Sequence, residues 1–359
     1  MLLAGCATSP HETAPSVWTD TNSVLPLPVY PPVPPPANVV KTNLVVIVRT
    51  NAPPANPPTP KVVPRPPILT WTSLNRWALQ NKIAAPRRLT GGPTVRYAIS
   101  SPAGTLILEI GSREATWRNI QINLGFAPEI VDDQVFVHGL DLQKNLEPLL
   151  LGESLTLGAN RVVVLDPGHG GIKAGTVSVL DGRPEKEFTL DLARRLKPLL
   201  ATNGWTVYLT RTNDADIALS NRVSFAEAHH AALFISLHFN SNAPDKKQSG
   251  LETYCQTPTG MPSTLTRGYT DFWTDHFPNN NFDVENLLLA LRLHAAVLHA
   301  SGEEDRGIRR ARFMDVLHGQ NRPAVLIECG YLSNPHEAEK IENPEFRQQL
   351  AEAIANALK

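Results

Sequence analysis

The chain of 359 residues has few cysteines, no long apolar run and no excess of charge. Its three cysteines are too few for a disulfide scaffold, and no Cys-x-x-Cys pair suggests a structural zinc cluster. No run approaches the ~18 apolar residues that a transmembrane helix needs. A net charge of -1 gives no electrostatic case for binding nucleic acid. The length allows two domains, with a sizeable core in at least one.

The N-terminus resembles the cleavage site of a bacterial lipoprotein. Leu3-Ala4-Gly5-Cys6 matches the lipobox that precedes a lipid-modified cysteine, and a polar, proline-containing segment follows it. Only two residues precede the box, so the charged and apolar regions of a signal peptide are missing. Two interpretations are open: the true start lies upstream, or the match is fortuitous. The first predicts a protein of the cell envelope, in the periplasm, with a membrane attachment through lipidated Cys6.

Residues 7 to about 67 are rich in proline. Between Pro26 and Pro67 lie 15 of the 32 prolines of the chain. Such density favours polyproline II and a semi-rigid spacer. We therefore assign residues 1–67 to the lipobox-like N-terminus and a disordered, non-catalytic linker, in which the apolar run 44–48 is a candidate edge strand.

Residues 68–155 are predicted to form a small α+β accessory domain, with a helix near 71–81 and several strands after it. The segments Ile110 to Ala115, Phe136 to His138 and Leu146 to Leu150 resemble a copper-amine-oxidase N-terminal-like module, a kind often appended to cell-wall enzymes. This resemblance rests on few residues. His138 stands apart from any other candidate ligand and is expected to be structural.

From Arg161 onward, apolar runs typical of strands alternate with helical patterns. This alternation predicts an α/β domain over residues 160–359, with a mostly parallel central sheet and helices on both faces. Near-continuous apolar runs fit strands that are buried on both sides. The expected strands are 162–166, 205–210, 233–238, 250–254 and 324–328. The expected helices are 185–203, 219–230, 284–301 and 335–358.

Four polar residues of this domain end a predicted strand, follow one, or begin a predicted helix. His169 lies in a glycine-rich loop after a strand, while His238 and Glu328 each end one. In open α/β sheets ligands bind at the carboxyl ends of the strands, so these three side chains should emerge at the same edge. Glu185 begins a helix. Zinc hydrolysis needs about three N or O ligands, an open water position and a carboxylate base, and these residues supply that set.

Two neighbours affect the interpretation of this set. Asp166 is expected to accept the second ring N–H of His169. Glu187 competes with Glu185 for a place in the site, because the two lie ~200° apart on a helix and only one can face the sheet edge. The residues alone also allow both to be ordinary acids of a first helical turn.

Seven short motifs of the domain follow one another in the order found in one enzyme family. They are Asp166-Pro167-Gly168-His169-Gly170-Gly171, Glu185-Lys186, Thr210-Arg211, Leu219-Ser220-Asn221-Arg222, Ser236-Leu237-His238-Phe239-Asn240-Ser241, Arg306-Gly307-Ile308 and Glu328-Cys329-Gly330-Tyr331-Leu332-Ser333-Asn334. In this order they resemble the zinc-dependent N-acetylmuramoyl-L-alanine amidases of the amidase-3 type, over residues 161–359.

The resemblance implies one Zn²⁺ ion, held by His169, Glu185 and His238, with Glu328 as the catalytic carboxylate. Glu187 then falls outside the ligand set. The implied reaction is hydrolysis of the amide between the lactyl group of N-acetylmuramic acid and L-alanine of the peptidoglycan stem peptide. Peptidoglycan is thus the expected partner, and the need for a protein activator stays open.

Several features leave alternatives open. The segment 256–283 is long and rich in aromatic residues, and it either lines the substrate groove, acts as a lid, or is a plain surface insertion. Arg211 and Arg222 are expected to be structural, while Arg306 is a weaker candidate for pairing with an acidic group of the stem peptide. Two rival functions are a non-catalytic wall-binding module and a zinc hydrolase of another amide.

Overall fold

A large mixed sheet is the main feature of the protein, whose computed structural model describes residues 70–155 and 160–359. The proline-rich linker, its candidate strand 44–48 and Cys6 lie outside the described residues. Within the described residues, no helix combines the length and the apolar character that crossing a membrane requires.

The described residues up to 155 form short strands and helices, with a π-helical turn at Leu142–Leu146. In chain order they are β1 (Trp71–Ser73), α1 (Leu74–Gln80), β2 (Arg87–Arg88), β3 (Arg96–Ser101), β4 (Gly104–Glu109), β5 (Glu114–Trp117), β6 (Ile120–Asn123), β7 (Glu129–Val131), β8 (Gln134–His138), α2 (Gly139–Asp141) and α3 (Glu147–Leu150).

The described residues from 160 onward form longer elements and include a 3₁₀ helix at Pro278–Phe282. They are β9 (Val162–Pro167), α4 (Glu185–Thr202), β10 (Thr206–Leu209), α5 (Leu219–Ala228), β11 (Leu233–Asn240), β12 (Leu251–Gln256), α6 (Asp283–Ser301), β13 (Asp305–Ala311), α7 (Asp315–His318), β14 (Ala324–Tyr331), α8 (Pro335–Glu342) and α9 (Pro344–Ala357).

The central part of the sheet is mostly parallel. Strands β10, β9, β11 and β14 lie side by side and parallel, then β12 runs antiparallel to β14, and β13 lies parallel to β12. Successive side chains of a strand point to opposite faces of the sheet. Val163 and Leu165 pack with α4, α6 and α9 on one face, while Val164 packs with α5 and α7 on the other. The predicted α/β fold with helices on both faces is confirmed.

The sheet does not stop at β13. Strand β6 pairs with β13 through Ile122 and Ile308, and β5, β4, β3 and β2 follow in antiparallel order. A separate sheet contains β1, β8 and β7. Leu106 and Leu142 of the first part share one hydrophobic core with Val163 and Leu350. The described residues therefore fall into a single compact unit.

The end of the chain differs from the prediction of one helix over 335–358. The structure has two helices, α8 and α9, which are separated at Asn343. The Asn343 side chain accepts a hydrogen bond from the backbone N–H of Glu345, and Pro344 occupies the first turn. An asparagine cap and a proline at the first helical position both favour a new helix start. The apolar periodicity of 335–358 therefore runs through two helices with a break at Asn343.

Candidate metal centre

Three of the four predicted site residues meet at the carboxyl edge of the parallel strands. The Nε2 atom of His169 lies 3.0 Å from Oε2 of Glu185, and the Nδ1 atom of His238 lies 2.9 Å from Oε1 of Glu185. One ligand atom from each residue lies within 4.8 Å of those of the other two. Residues separated by up to 69 positions in the sequence are thus brought to one point because β9, α4 and β11 all present an end there.

Glu185 is held firmly between the two histidines. Its Oε1 accepts a hydrogen bond from the backbone N–H of Phe239, and its Oε2 accepts one from the backbone N–H of Thr176. Burial opposes ionisation of this carboxyl group, but hydrogen bonds from His169 and His238 outweigh it and lower the pKa of Glu185. The side chain is therefore a carboxylate, the form that binds a metal ion. Glu187 is exposed and lies outside this cluster.

Glu328 lies on the neighbouring strand, in register with His238. Together with the three clustered residues it lines a cavity of about 460 Å³, which we call the first cavity. The Glu328 carboxyl group is buried, and its Oε2 atom has no hydrogen-bond partner among the described residues. A buried polar oxygen without a partner calls for an explanation, and a reacting group that binds there supplies one.

The surroundings of Glu328 favour proton transfer. Burial raises its pKa to about 8, and the charge of Glu185 acts in the same direction, whereas His238 and Arg267 lower it. A carboxyl group whose pKa lies near neutrality is suited to accept a proton and release it again.

The loop that carries His169 is clamped by two buried arginines. Arg211 donates hydrogen bonds to the carbonyl oxygens of Pro167 and Gly168 at 3.0 and 2.8 Å. Arg222 donates to the carbonyl oxygen of His169 at 2.7 Å. His169 itself has a φ of +61°, a region that side-chain-bearing residues adopt only with support from their surroundings. The structural role expected for both arginines thus includes fixing the backbone of this loop.

The expected contact between Asp166 and His169 is wrong. Asp166 lies in β9 opposite Ser236 of the neighbouring strand β11. Its side chain therefore contacts that strand and does not extend beyond the end of β9 toward His169. It accepts hydrogen bonds from Ser236 at 2.8 Å, from Thr210 at 2.6 Å and from Arg222 at 2.6 Å. Asp166 therefore supports the centre indirectly, through the arginine that holds the loop.

Replacing Arg222 with alanine is expected to lower the free energy of unfolding by about 3–5 kcal/mol, because it leaves the buried carboxylate of Asp166 without its charged partner. Urea unfolding followed by circular dichroism measures the loss. Arg195→Ala is the control: its pair with Asp191 is partly exposed, and its loss should cost under about 1 kcal/mol. Equal losses in the two variants would contradict the assignment.

Gly175 leaves space beside Glu185 and His169 that a larger residue would fill. At Gly175 a Cβ atom would lie 2.5 Å from Oε2 of Glu185 and 2.7 Å from Cδ2 of His169. Its φ of +75° is also a conformation that other residues adopt at a cost. Gly182 has a similar φ of +77° with no atom within 4 Å of the same position. Comparing alanine variants at these two glycines therefore distinguishes the effect of crowding in the site from the effect of backbone strain.

If the cluster binds a divalent metal ion, Gly175→Ala is expected to weaken that binding by at least about 10-fold. The added methyl group displaces Glu185 and His169, and removing the contacts that orient a ligand costs a similar amount. Gly182→Ala should carry only the backbone strain of ~1 kcal/mol and leave the metal affinity unchanged. Competition with a chromophoric chelator measures both affinities. Equal weakening in the two variants would show that backbone strain, and not crowding, matters.

The segment 256–283 takes part in the site, which the sequence left open. Arg267 of this segment lines the first cavity and also an adjoining second cavity of about 380 Å³. Arg312, fully buried, pairs with Asp271 and donates to the carbonyl oxygens of Pro258 and Met261, which fixes the segment to the end of β13. The place of Arg267 in the site could not be predicted, because an arginine in an irregular segment carries no periodic signal.

His138 and His294 make structural contacts. His138 accepts a hydrogen bond from the backbone N–H of Leu140 at the start of α2 and lies against Phe126. His294 is buried and hydrogen-bonded to Thr253 and Asp305. The Nδ1 atom of His138 and both ring nitrogens of His294 are thus engaged in hydrogen bonds within the protein.

A family model described as N-acetylmuramoyl-L-alanine amidase, Amidase_3, matches residues 163–359. The chain is 32% identical over 246 residues to N-acetylmuramoyl-L-alanine amidase AmiC of Escherichia coli O6:H1, covering 61% of this chain and 58% of that protein. It is 30% identical over 222 residues to AmiA of Salmonella typhimurium, covering 56% of this chain and 76% of that protein.

Among solved structures, the chain is similar to the catalytic domain of CwlV, an N-acetylmuramoyl-L-alanine amidase from Bacillus (Paenibacillus) polymyxa var. colistinus. The identity is 31%, the TM-score is 0.46, and the match covers 55% of this chain and 96% of the other.

Proposed function

The chain belongs to the amidase-3 family of N-acetylmuramoyl-L-alanine amidases, and on that basis we propose that it hydrolyses the amide between the lactyl group of N-acetylmuramic acid and L-alanine in peptidoglycan. The observation that carries the proposal is the grouping of His169, Glu185, His238 and the buried, unpartnered Glu328 around one cavity. Because the substrate is peptidoglycan, the protein acts in the cell envelope. Attachment through a lipid on Cys6 stays a prediction.

We further propose that His169, Glu185 and His238 hold one Zn²⁺ ion. Two imidazole nitrogens and one carboxylate oxygen form a donor set typical of catalytic zinc, and their mutual distances within 4.8 Å support a common centre. When bound, zinc polarises an amide carbonyl and lowers the pKa of water. The fixed carboxylate of Glu185, with its two backbone hydrogen bonds, keeps the donors in position.

Glu328 performs the proton transfers. Its Oε2 accepts a proton from the attacking water, and the same carboxyl group then donates that proton to the departing amine of L-alanine. Since Oε2 forms no hydrogen bond with a described residue, it is free to do so. The hydrolysis needs no covalent intermediate on the enzyme.

Metal analysis combined with mass spectrometry of digested peptidoglycan tests the proposal. We expect one zinc ion per chain and release of stem peptides that begin with L-alanine, while the glycan strands stay intact. Binding to the wall without cleavage would instead indicate a non-catalytic module. Cleavage within the stem peptide would indicate a zinc hydrolase of a different amide.

A further inference from the structure

The second cavity adjoins the first and is strongly cationic. Asn240, Ser241 and Arg267 line both cavities, so a ligand can extend from one into the other. The second cavity is also lined by Arg306 and Arg309, and its lining contains one carboxylate. Every other lining side chain is neutral, so the cavity has two positive charges in excess.

The single carboxylate, Glu252, is already engaged by three donors. It is buried and accepts hydrogen bonds from Asn240 at 3.0 Å, from the hydroxyl group of Tyr254 at 2.6 Å and from Arg306 at 3.1 Å. The Nε atom of Arg309 lies 3.7 Å from Glu252, which is too long for a hydrogen bond. Glu252 therefore orients Arg306 and leaves the donors of Arg309 available.

Arg267 also has unused donors. Within residues 70–155 and 160–359 its guanidinium group forms no hydrogen bond or ion pair, and it lies over the ring of Phe313 with 5.7 Å between Cζ and the ring centroid. Two guanidinium groups, those of Arg267 and Arg309, thus face one cavity with free N–H groups. A planar guanidinium fork matches a carboxylate, with which it forms paired, charge-assisted hydrogen bonds.

The strand order gives the distance from the reacting amide. Glu252 lies opposite Glu328 in the β12–β14 pair, and Arg309 lies opposite Tyr254 in the β12–β13 pair. Neighbouring strands are ~4.8 Å apart, and Arg309 lies two residues along from the level of Glu328, so the two Cα atoms are about 12 Å apart. An extended peptide covers this distance in about three residues. The cavity is therefore within reach of a peptide whose first amide occupies the metal centre.

We propose that the second cavity is a subsite for a free carboxylate of the stem peptide, bound by Arg309 and Arg267. This inference rests on the proposed amidase function and adds the part of the substrate that is recognised. It assigns to the segment 256–283 a role in substrate binding, through Arg267. The substrate class is a muramoyl peptide with an acidic group about three residues from the scissile amide.

The test compares two soluble muramoyl peptides, one with free peptide carboxylates and one in which these are carboxamides. For the acidic substrate, Arg309→Gln and Arg267→Gln should each lower kcat/KM by about 10- to 100-fold, mainly through KM, as loss of a charge-assisted hydrogen bond implies. For the amidated substrate the change in Arg309→Gln should stay within about threefold. Arg267 also lines the first cavity and lowers the pKa of Glu328, so Arg267→Gln is judged by the ratio of its losses on the two substrates. Arg292→Gln, an exposed arginine of α6 that lines neither cavity, should leave both substrates unaffected.

Equal losses for the two substrates, or no loss for the acidic one, would overturn the subsite. If the wild-type protein hydrolyses neither substrate, the proposed amidase function fails instead. Calorimetric binding of the two peptides then still decides the inference. Tighter binding of the acidic peptide that disappears in Arg309→Gln supports the subsite, and equal binding overturns it.

Discussion

Replacing Glu328 with glutamine is expected to lower kcat by about 10³-fold while the zinc content stays at one ion per chain. General acid–base catalysis is typically worth ~10²–10⁴-fold, and glutamine has the same shape but accepts no proton at neutral pH. The buried Oε2 atom has no hydrogen-bond partner among the described residues, so the substitution breaks no contact there. The loss of activity should therefore come without a loss of folding.

The matched control is Glu187→Gln, which removes a carboxylate from the exposed side of α4. It should keep both activity and zinc. Steady-state kinetics on a soluble muramoyl peptide and atomic emission analysis of zinc measure the two properties. If Glu328→Gln retained wild-type turnover, another group would have to perform the proton transfer.

Replacing His169 with alanine is expected to remove the metal itself. The variant loses one of three protein donors, and zinc affinity should fall by more than the ~10–100-fold that changes around a ligand cost. Activity should fall to background at zinc concentrations that saturate the wild-type protein. Because an ion that binds only the folded state stabilises it, added zinc should raise the Tm of the wild-type protein but not of the variant.

His299→Ala provides the control, since this histidine is exposed near the end of α6. It should retain zinc and the zinc-dependent rise in Tm. The two tests separate the proposed roles, because Glu328→Gln should bind zinc without turnover and His169→Ala should do neither. Equal zinc content and equal activity in both variants would refute the assignment.

The parallel strands, and the meeting of the candidate site residues at one edge of the sheet, were predictable because their signals are local. The runs that form β9, β11 and β14 are apolar on both faces, and the site residues follow directly from where those strands end. Strand β13 was missed, since its seven residues include three arginines and a glycine and show no apolar alternation. Arg306 and Arg310 are nevertheless partly or fully buried, because Glu252 pairs with Arg306 while Asn145 and a backbone carbonyl oxygen pair with Arg310.

The predicted contact between Asp166 and His169 was wrong for a different reason from the one that hid β13. Proximity in sequence suggested His169, whereas the pleat of β9 directs the Asp166 side chain toward Ser236 and Arg222. Arg222 lies 56 positions away, so its approach depends on how α5 packs on the sheet. Contacts of this kind depend on tertiary packing that a single sequence does not reveal. The second cavity was unpredictable on the same grounds.

The pairing of β6 with β13 has a practical consequence for anyone who shortens the chain. A fragment that begins at residue 160 would turn β13 from an interior strand into an edge strand. The amide of Gln121 that now bonds to Asp305, and the Asn123 side chain that bonds to the carbonyl oxygen of Ile308, would both be missing. Unprotected edges recruit other chains, so such a fragment should be prone to aggregate, and its poor yield would say nothing about its chemistry.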